Sequence, residues 1–267
     1  MTSTEPSPKP VPRSPSHHPS RGGHSLGARA AAWGVHLYTA SGAVWAFLMM
    51  AAAFDGRTTT ALWLFLVAMV IDGTDGLLAR RLRVKEVVPQ FDGALLDNIV
   101  DYLTYCFAPM VLLWAGGYLP DGRWGALVAC LPLMASTYQF CRSDAKTEDH
   151  FFLGFPSYWN VLAFYVIVLD LAELSTSVLV VTLSVLVFVP VKYVYPSRTA
   201  TLFRTNMTLS ATWLVLYAVL VAQLPDPNPV VVGLSLAYIA FYTVESLVLT
   251  VRHHHAGRVQ TADPAYI

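Results

Sequence analysis

Charge is what this sequence has least of. Asp, Glu, Lys and Arg make up only 13% of its 267 residues, against about 25% in an ordinary soluble domain. So few charges cannot build a water-facing surface, which excludes a soluble enzyme fold. An excess of either sign is missing too. Seventeen basic residues balance seventeen acidic ones, without the basic surplus that a nucleic-acid binder carries. Cysteine is scarce, with Cys106, Cys130 and Cys141 alone. An odd number with no regular spacing is no disulfide framework. Cys106 and Cys130 fall inside apolar runs and read as small hydrophobes. No apolar stretch of signal-peptide type lies near residue 1, so no cleaved leader is expected.

What the chain has in quantity is apolar surface. Hydrophobic residues reach 55% and mean hydropathy is +0.51, an all-α polytopic membrane composition. Residues 1–30, rich in Pro, Ser, His and Arg, are expected to form a disordered cytoplasmic tail. Residues 31–251 are expected to form the transmembrane domain, and residues 252–267 a cytoplasmic C-terminal tail. His17, His18 and His24 at one end and His253, His254 and His255 at the other could touch metal, as any solvated histidine cluster can.

A bilayer crossing needs about 20 apolar residues. Apolar runs recur at 31–54, 60–79, 94–116, 124–141, 157–172, 176–194, 209–224 and 229–250, giving eight expected helices, of which the fifth and seventh are short. Turn residues separate them at Asp55-Gly56-Arg57, Pro120-Asp121-Gly122 and Pro225-Asp226-Pro227-Asn228-Pro229. With both termini in the cytoplasm, fifteen of the seventeen Lys and Arg residues fall on the inner side, and only Arg57 and Arg123 outside. That is the bias the positive-inside rule requires. Trp63, Trp114, Trp124 and Trp213 sit near segment ends, where interfacial aromatics collect.

Carboxylates in such segments are expensive and mark function. They gather in one place. The second segment ends Asp72-Gly73-Thr74-Asp75-Gly76, followed by Arg80, and the third begins Gly93-Ala94-Leu95-Leu96-Asp97, followed by Asp101. Asp72 and Asp75 are spaced i, i+3 and Asp97 and Asp101 i, i+4, so each pair shares a helix face. Two neighbouring antiparallel helices bring both pairs to one depth near the cytoplasmic surface. Four like charges there would repel unless a cation neutralised them. All-oxygen donors suit Mg²⁺ or Mn²⁺, and four carboxylates could bridge two ions holding a phosphate. Gly73, Gly76 and Gly93 cost helix stability and leave room for a bulky ligand such as a nucleotide. Arg80 can offer its fork to a phosphate.

The pattern D-x2-D-G-x2-A-R-xn-G-x3-D-x3-D, carried by Asp72, Asp75, Gly76, Ala79, Arg80, Gly93, Asp97 and Asp101, resembles the signature of the CDP-alcohol phosphotransferases. All eight motif positions are present. One departure is the spacer between Arg80 and Gly93, twelve residues here against the family's usual eight. That spacer and the eight helices resemble the bacterial branch that makes phosphatidylcholine. Asp101-Tyr102-Leu103-Thr104-Tyr105, residues 144–160 and Tyr195-Pro196-Ser197-Arg198-Thr199 resemble it as well, so the likeness covers about residues 30–250.

The resemblance implies transfer of a phosphatidyl group from CDP-diacylglycerol to choline, with release of CMP, at the bacterial inner membrane. By the same resemblance Asp72, Asp75, Asp97 and Asp101 would hold the metals, with Mn²⁺ preferred and Mg²⁺ the alternative, and Asp101 would be general base on the choline hydroxyl. Asp72, Gly76, Ala79, Arg80 and Gly93 would line the CDP site. Choline cannot donate hydrogen bonds from nitrogen, so aromatic faces are its receptors. Tyr102, Tyr105, Tyr158 and Trp159 are candidates, with Glu245 balancing the charge. Arg142, Lys146, Arg198 and Arg204 form a cytoplasmic basic rim able to bind donor phosphate or lipid. Relatives of this fold are often homodimers. Serine, inositol or a glycerol phosphate as acceptor is the alternative within the family, and a cation or proton-coupled transporter the alternative outside it. A transporter would spread its charges along a path or across two repeated halves, whereas here there is one acidic cluster and no repeat.

Overall fold

A computed structural model of the chain describes residues 24–261 apart from 146 and 148, with side chains described as far as residue 252. Lys146, His17, His18 and the side chains of His253, His254 and His255 therefore lie outside the described residues; His24 is exposed.

Helix α1 spans Leu26–Phe54, beginning inside the stretch expected to be tail. The Ser25 hydroxyl caps it by accepting the Ala28 N–H at 3.2 Å. The chain reverses at Asp55-Gly56-Arg57, where Gly56 takes φ 68°, and returns as α2, Thr58–Arg81. Small residues line the contact between them. Ala32, Ala46, Ala52 and Ala53 of α1 and Ala61 and Ala68 of α2 are all buried. In lipid, where oil gives helices no hydrophobic drive to associate, small side chains let backbones approach closely. Residues 82–92 fold back over α1 through one helical turn, α3 (Val84–Val87), with Val84 and Val88 buried against Ala32 and Val35.

Helix α4, Gly93–Asp101, is capped by the Asp92 carboxylate, which accepts the Ala94 and Leu95 N–H groups at 3.0 Å. It continues into a π-helical turn, Tyr102–Phe107, and then α5, Ala108–Ala115. Pro109 accounts for the irregularity. It has no N–H for the Tyr105 carbonyl four residues back, and the wider π turn carries the helix past its ring. Helix α6 (Gly122–Cys141), α7 (Trp159–Val168), α8 (Glu173–Leu186), α9 (Phe203–Gln223) and α10 (Pro229–Thr261) complete the helical set.

Each of the eight expected apolar segments contains a helix, but among the described residues only five helices are long and apolar enough to cross a membrane: α1, α2, the α4–α5 unit, α9 and α10. The short pair is α7 and α8, of 10 and 14 residues. At 1.5 Å per residue α7 rises about 15 Å, half the hydrocarbon thickness. Every residue of α7 except Val161 is buried; it is a central strut, apolar on all sides because protein surrounds it. The helix expected over 176–194 stops at Leu186, just before Pro190. Beyond the proline the chain forms a strand, β2 (Lys192–Val194), antiparallel to β1 (Phe151–Leu153), with Phe152 opposite Tyr193.

Two apolar cores share α5 and α7. One gathers Phe65, Leu112, Phe164 and Tyr217, and the other Met110, Leu119, Trp159 and Val180. The outer faces are oily as well, with Phe47, Met134, Leu174 and Val185 more than half exposed. A chain with five such helices and an apolar skin is a multi-pass membrane protein. Trp63, Trp114 and Trp124 are exposed near helix ends as expected, but Trp213 is buried, its indole N–H donating to the Tyr165 hydroxyl at 2.9 Å.

Candidate active site

The C-terminal half of α2 and the body of α4 meet at the acidic cluster. Asp72, Asp97 and Asp101 each place a carboxylate oxygen so that all three lie within 4.8 Å of one another. All three are partly exposed. The Tyr105 hydroxyl, from the π-helical turn, donates to Asp72 Oδ2 at 2.6 Å. Three carboxylates at this separation, offering oxygen alone, could hold a hard divalent cation. Their spacing was legible as helix geometry, i, i+4 on α4 facing Asp72 on α2.

Asp75 is not one of the three. It is only 5% exposed, and the Thr39 hydroxyl of α1 donates to its Oδ2 at 2.7 Å. The i, i+3 spacing does put Asp72 and Asp75 on one side of α2, and both border the same cavity. Yet Asp75 reaches toward α1 while Asp72 joins the cluster. Thr39 escaped the sequence reading. Its only signal was a polar residue three positions after His36 in an apolar helix, and nothing local tied it to a residue 36 positions away.

The aspartates open onto a cavity of about 690 Å³. Gly73, Gly76 and Arg80 border it. Arg80 is exposed, its guanidinium beside Gly76, where an added Cβ would come within 3.2 Å of Nη1. Ala79 and Gly93, expected at the nucleotide, do not border this cavity. Ala79 packs on the small core around Val84 and Val88. At Gly93 an added Cβ would stand 2.9 Å from His36 Cε1, so there the glycine serves the close approach of α4 to α1. His36 in turn packs between Trp33 and Phe91.

The aromatic candidates divide. Tyr105 and Tyr158 border the cavity, their ring centroids 6.2 Å apart. Tyr102 and Trp159 do not. The Tyr102 hydroxyl donates to the Leu133 carbonyl at 3.4 Å. Trp159 is fully buried, with its indole N–H on Ser136 Oγ at 2.7 Å. Glu245 lies buried between α9 and α10, also off the cavity, and accepts from Asn206 Nδ2 at 3.2 Å rather than from an arginine. Among the basic rim, Arg198 borders the cavity and lies over the Tyr195 ring. Arg142 instead forks onto Asp144, with two bonds of 2.6 Å, and that guanidinium holds the Asp144 carboxyl below its ordinary range. Arg204 is exposed at the start of α9, away from the cavity. Phe152, Tyr195, Trp213, Tyr238 and Tyr242 also border the cavity. They come from four distant stretches of chain, which is why no local pattern announced them.

A multi-helix membrane bundle with an acidic cluster of this signature defines a class, and the sequence profile of the CDP-alcohol phosphatidyltransferase family matches residues 36–252. The chain belongs to that family. Its curated relatives include proteins named phosphatidylcholine synthase. The one from Legionella pneumophila is 42% identical over 219 residues, covering 79% of this chain and 86% of the relative. The Pseudomonas aeruginosa protein is 36% identical over 214 residues, covering 80% and 90%. The one from Borreliella burgdorferi is 32% identical over 221 residues, covering 82% and 94%.

Proposed function

We propose that this protein transfers the phosphatidyl group of CDP-diacylglycerol to choline, forming phosphatidylcholine and releasing CMP. The observation that carries the reading is the convergence of Asp72, Asp97 and Asp101 beside an aromatic-lined cavity, in a chain whose curated relatives bear that enzyme's name.

Asp72, Asp97 and Asp101, with Asp75 adjacent, would hold two ions of Mn²⁺ or Mg²⁺. A bound divalent cation supplies charge neutralisation between these carboxylates and the donor diphosphate. Everything else falls to the protein's own groups. Arg80 and Arg198 at the cavity edge offer guanidinium forks to phosphate oxygens. Gly73 and Gly76 leave open backbone where the CDP head enters. Asp101 accepts the choline hydroxyl proton as that oxygen attacks phosphorus; the new O–P bond forms and the P–O bond to CMP breaks. Phosphoryl transfer asks mainly for positioning and charge stabilisation, which an Asp cluster fixed by helix packing provides. Tyr105 and Tyr158 hold the acceptor's quaternary nitrogen.

The donor's acyl chains stay in the bilayer while its head reaches the aspartates. Residues 31–251 form the catalytic unit, with eight membrane-embedded segments and both termini on the cytoplasmic side of a bacterial inner membrane. Fifteen Lys and Arg residues on that side support this orientation. The test is an acceptor exchange. Purified protein with CDP-diacylglycerol and Mn²⁺ should release CMP with choline, and not with serine, inositol or glycerol phosphate. The Asp101→Asn variant should keep its unfolding midpoint and lose turnover; full activity in that variant would remove the base assignment.

A further inference from the structure

The cavity has two chemically different ends. One is the carboxylate cluster. The other is aromatic, and its rings surround Tyr158, the residue just before α7. Tyr105 lies 6.2 Å from Tyr158, Tyr242 of α10 lies 6.3 Å away and Phe152 of β1 also 6.3 Å, all centroid to centroid. All four rings border the cavity and all are partly buried. Tyr105 ties the two ends together, because its hydroxyl is on Asp72 at 2.6 Å. In choline two carbons separate hydroxyl from nitrogen. A hydroxyl at the carboxylates would leave the nitrogen within reach of the Tyr105 ring.

The wall that carries Phe152 is not free to wander. Tyr242, Ser246 and Thr250 recur every fourth residue along α10, one stripe on one helix face. The Tyr242 hydroxyl donates to the Val194 carbonyl at 2.9 Å, Ser246 Oγ accepts the Val194 N–H at 3.1 Å, and Thr250 Oγ1 bonds both the N–H and the carbonyl of Lys192. Strand β2 is thereby clamped to α10, and β1 is paired to β2. This satisfies the open edge of a two-stranded sheet that would otherwise leave polar backbone unpaired beside the membrane. It also fixes Phe152, whose ring is stacked on Tyr195 at 4.5 Å. None of these residues was in the motif.

We propose that Phe152 and Tyr242 complete, with Tyr105 and Tyr158, an aromatic receptor for the trimethylammonium group, and that the Tyr242-Ser246-Thr250 stripe positions it. This rests on choline being the acceptor. The receptor selects the acceptor by what a quaternary nitrogen lacks. It has no N–H to satisfy and is attracted to ring faces, whereas a primary ammonium is more strongly hydrated and gains less from ring faces than it loses in water.

The experiment uses the full-length protein in lipid nanodiscs with CDP-diacylglycerol and Mn²⁺. CMP release is followed against choline and against ethanolamine and its mono- and dimethyl forms. Phe152→Leu and Tyr242→Leu should each raise KM for choline about 3- to 30-fold, the size of one cation–π contact, with KM for CDP-diacylglycerol unchanged. Choline's advantage over ethanolamine should shrink in parallel. Because leucine could disturb packing, Phe152 is also replaced by mono-, di- and trifluorophenylalanine, which keep shape and drain charge from the ring face. KM for choline should then climb with each fluorine. A flat fluorine series, or KM values for both substrates rising together, would overturn the receptor while leaving choline transfer standing. A wild-type protein that makes no phosphatidylcholine from choline would overturn the functional reading, and the receptor with it.

Discussion

Thr39→Val removes one hydroxyl and keeps the side chain's shape. The hydroxyl donates to Asp75 Oδ2 at 2.7 Å, and the pair is buried, Thr39 at 6% and Asp75 at 5% exposure. Water cannot easily replace a donor lost there. A hydrogen bond to a charged group contributes about 1.5–3 kcal/mol, which is about 10- to 100-fold in an equilibrium constant. If Asp75 helps hold the cation, the loss appears as a weaker grip on it. The Mn²⁺ concentration giving half-maximal CMP release should rise by at least about tenfold on that scale, with velocity recovering in excess metal. Thr39→Ser retains the hydroxyl and should titrate like the parent. The assay is CMP release against free Mn²⁺ at saturating donor and choline. A valine variant that matches the parent in both metal titration and unfolding midpoint would refute the idea that α1 orients Asp75.

Two other substitutions test the same geometry. Tyr105→Phe keeps the ring and removes the bond to Asp72, so kcat should fall by about tenfold or more while KM for choline stays within about threefold; a large rise in KM alone would contradict this. Gly42→Val drives a side chain into Val100, where even an added Cβ would strike Cγ1. Overpacking of that kind costs about 1–3 kcal/mol and pushes α4 away from α1. A lower unfolding midpoint in detergent and slower turnover are both expected, and an unchanged midpoint would show that α1 and α4 have slack.

The acidic cluster was readable because its geometry is local. Asp97 and Asp101 lie one turn apart on α4, and residues 82–92 bring α4 back against α1, which also packs against α2. The helical segments were readable for a similar reason, since long apolar runs separated by Asp-Gly and Pro-Asn turns leave few other structures. What remained hidden depends on distance along the chain. The run from 176 to 194 is apolar throughout, and hydropathy alone cannot tell the helix ending at Leu186 from the strand Lys192–Val194. Pro190 was the one marker of the break. The partner of that strand lies about forty residues earlier, and the α10 stripe that clamps it about fifty residues later. Tyr102 and Trp159 were close in sequence to site residues, yet helical rotation turned Tyr102 toward Leu133 and Trp159 toward Ser136. Phe152 and Tyr242 reached the cavity from far away. Proximity to a motif was a poor guide to which aromatic rings border the cavity, where tertiary packing chooses the residues.

The most direct measurement is a structure of the protein soaked with Mn²⁺, with anomalous scattering recorded at the manganese edge. A peak bounded by the carboxylates of Asp72, Asp97 and Asp101 is expected, lost in Asp97→Asn, together with loss of CMP release on chelation and its return on adding Mn²⁺. Turnover that survives complete chelation, with no anomalous density between those three side chains, would contradict it.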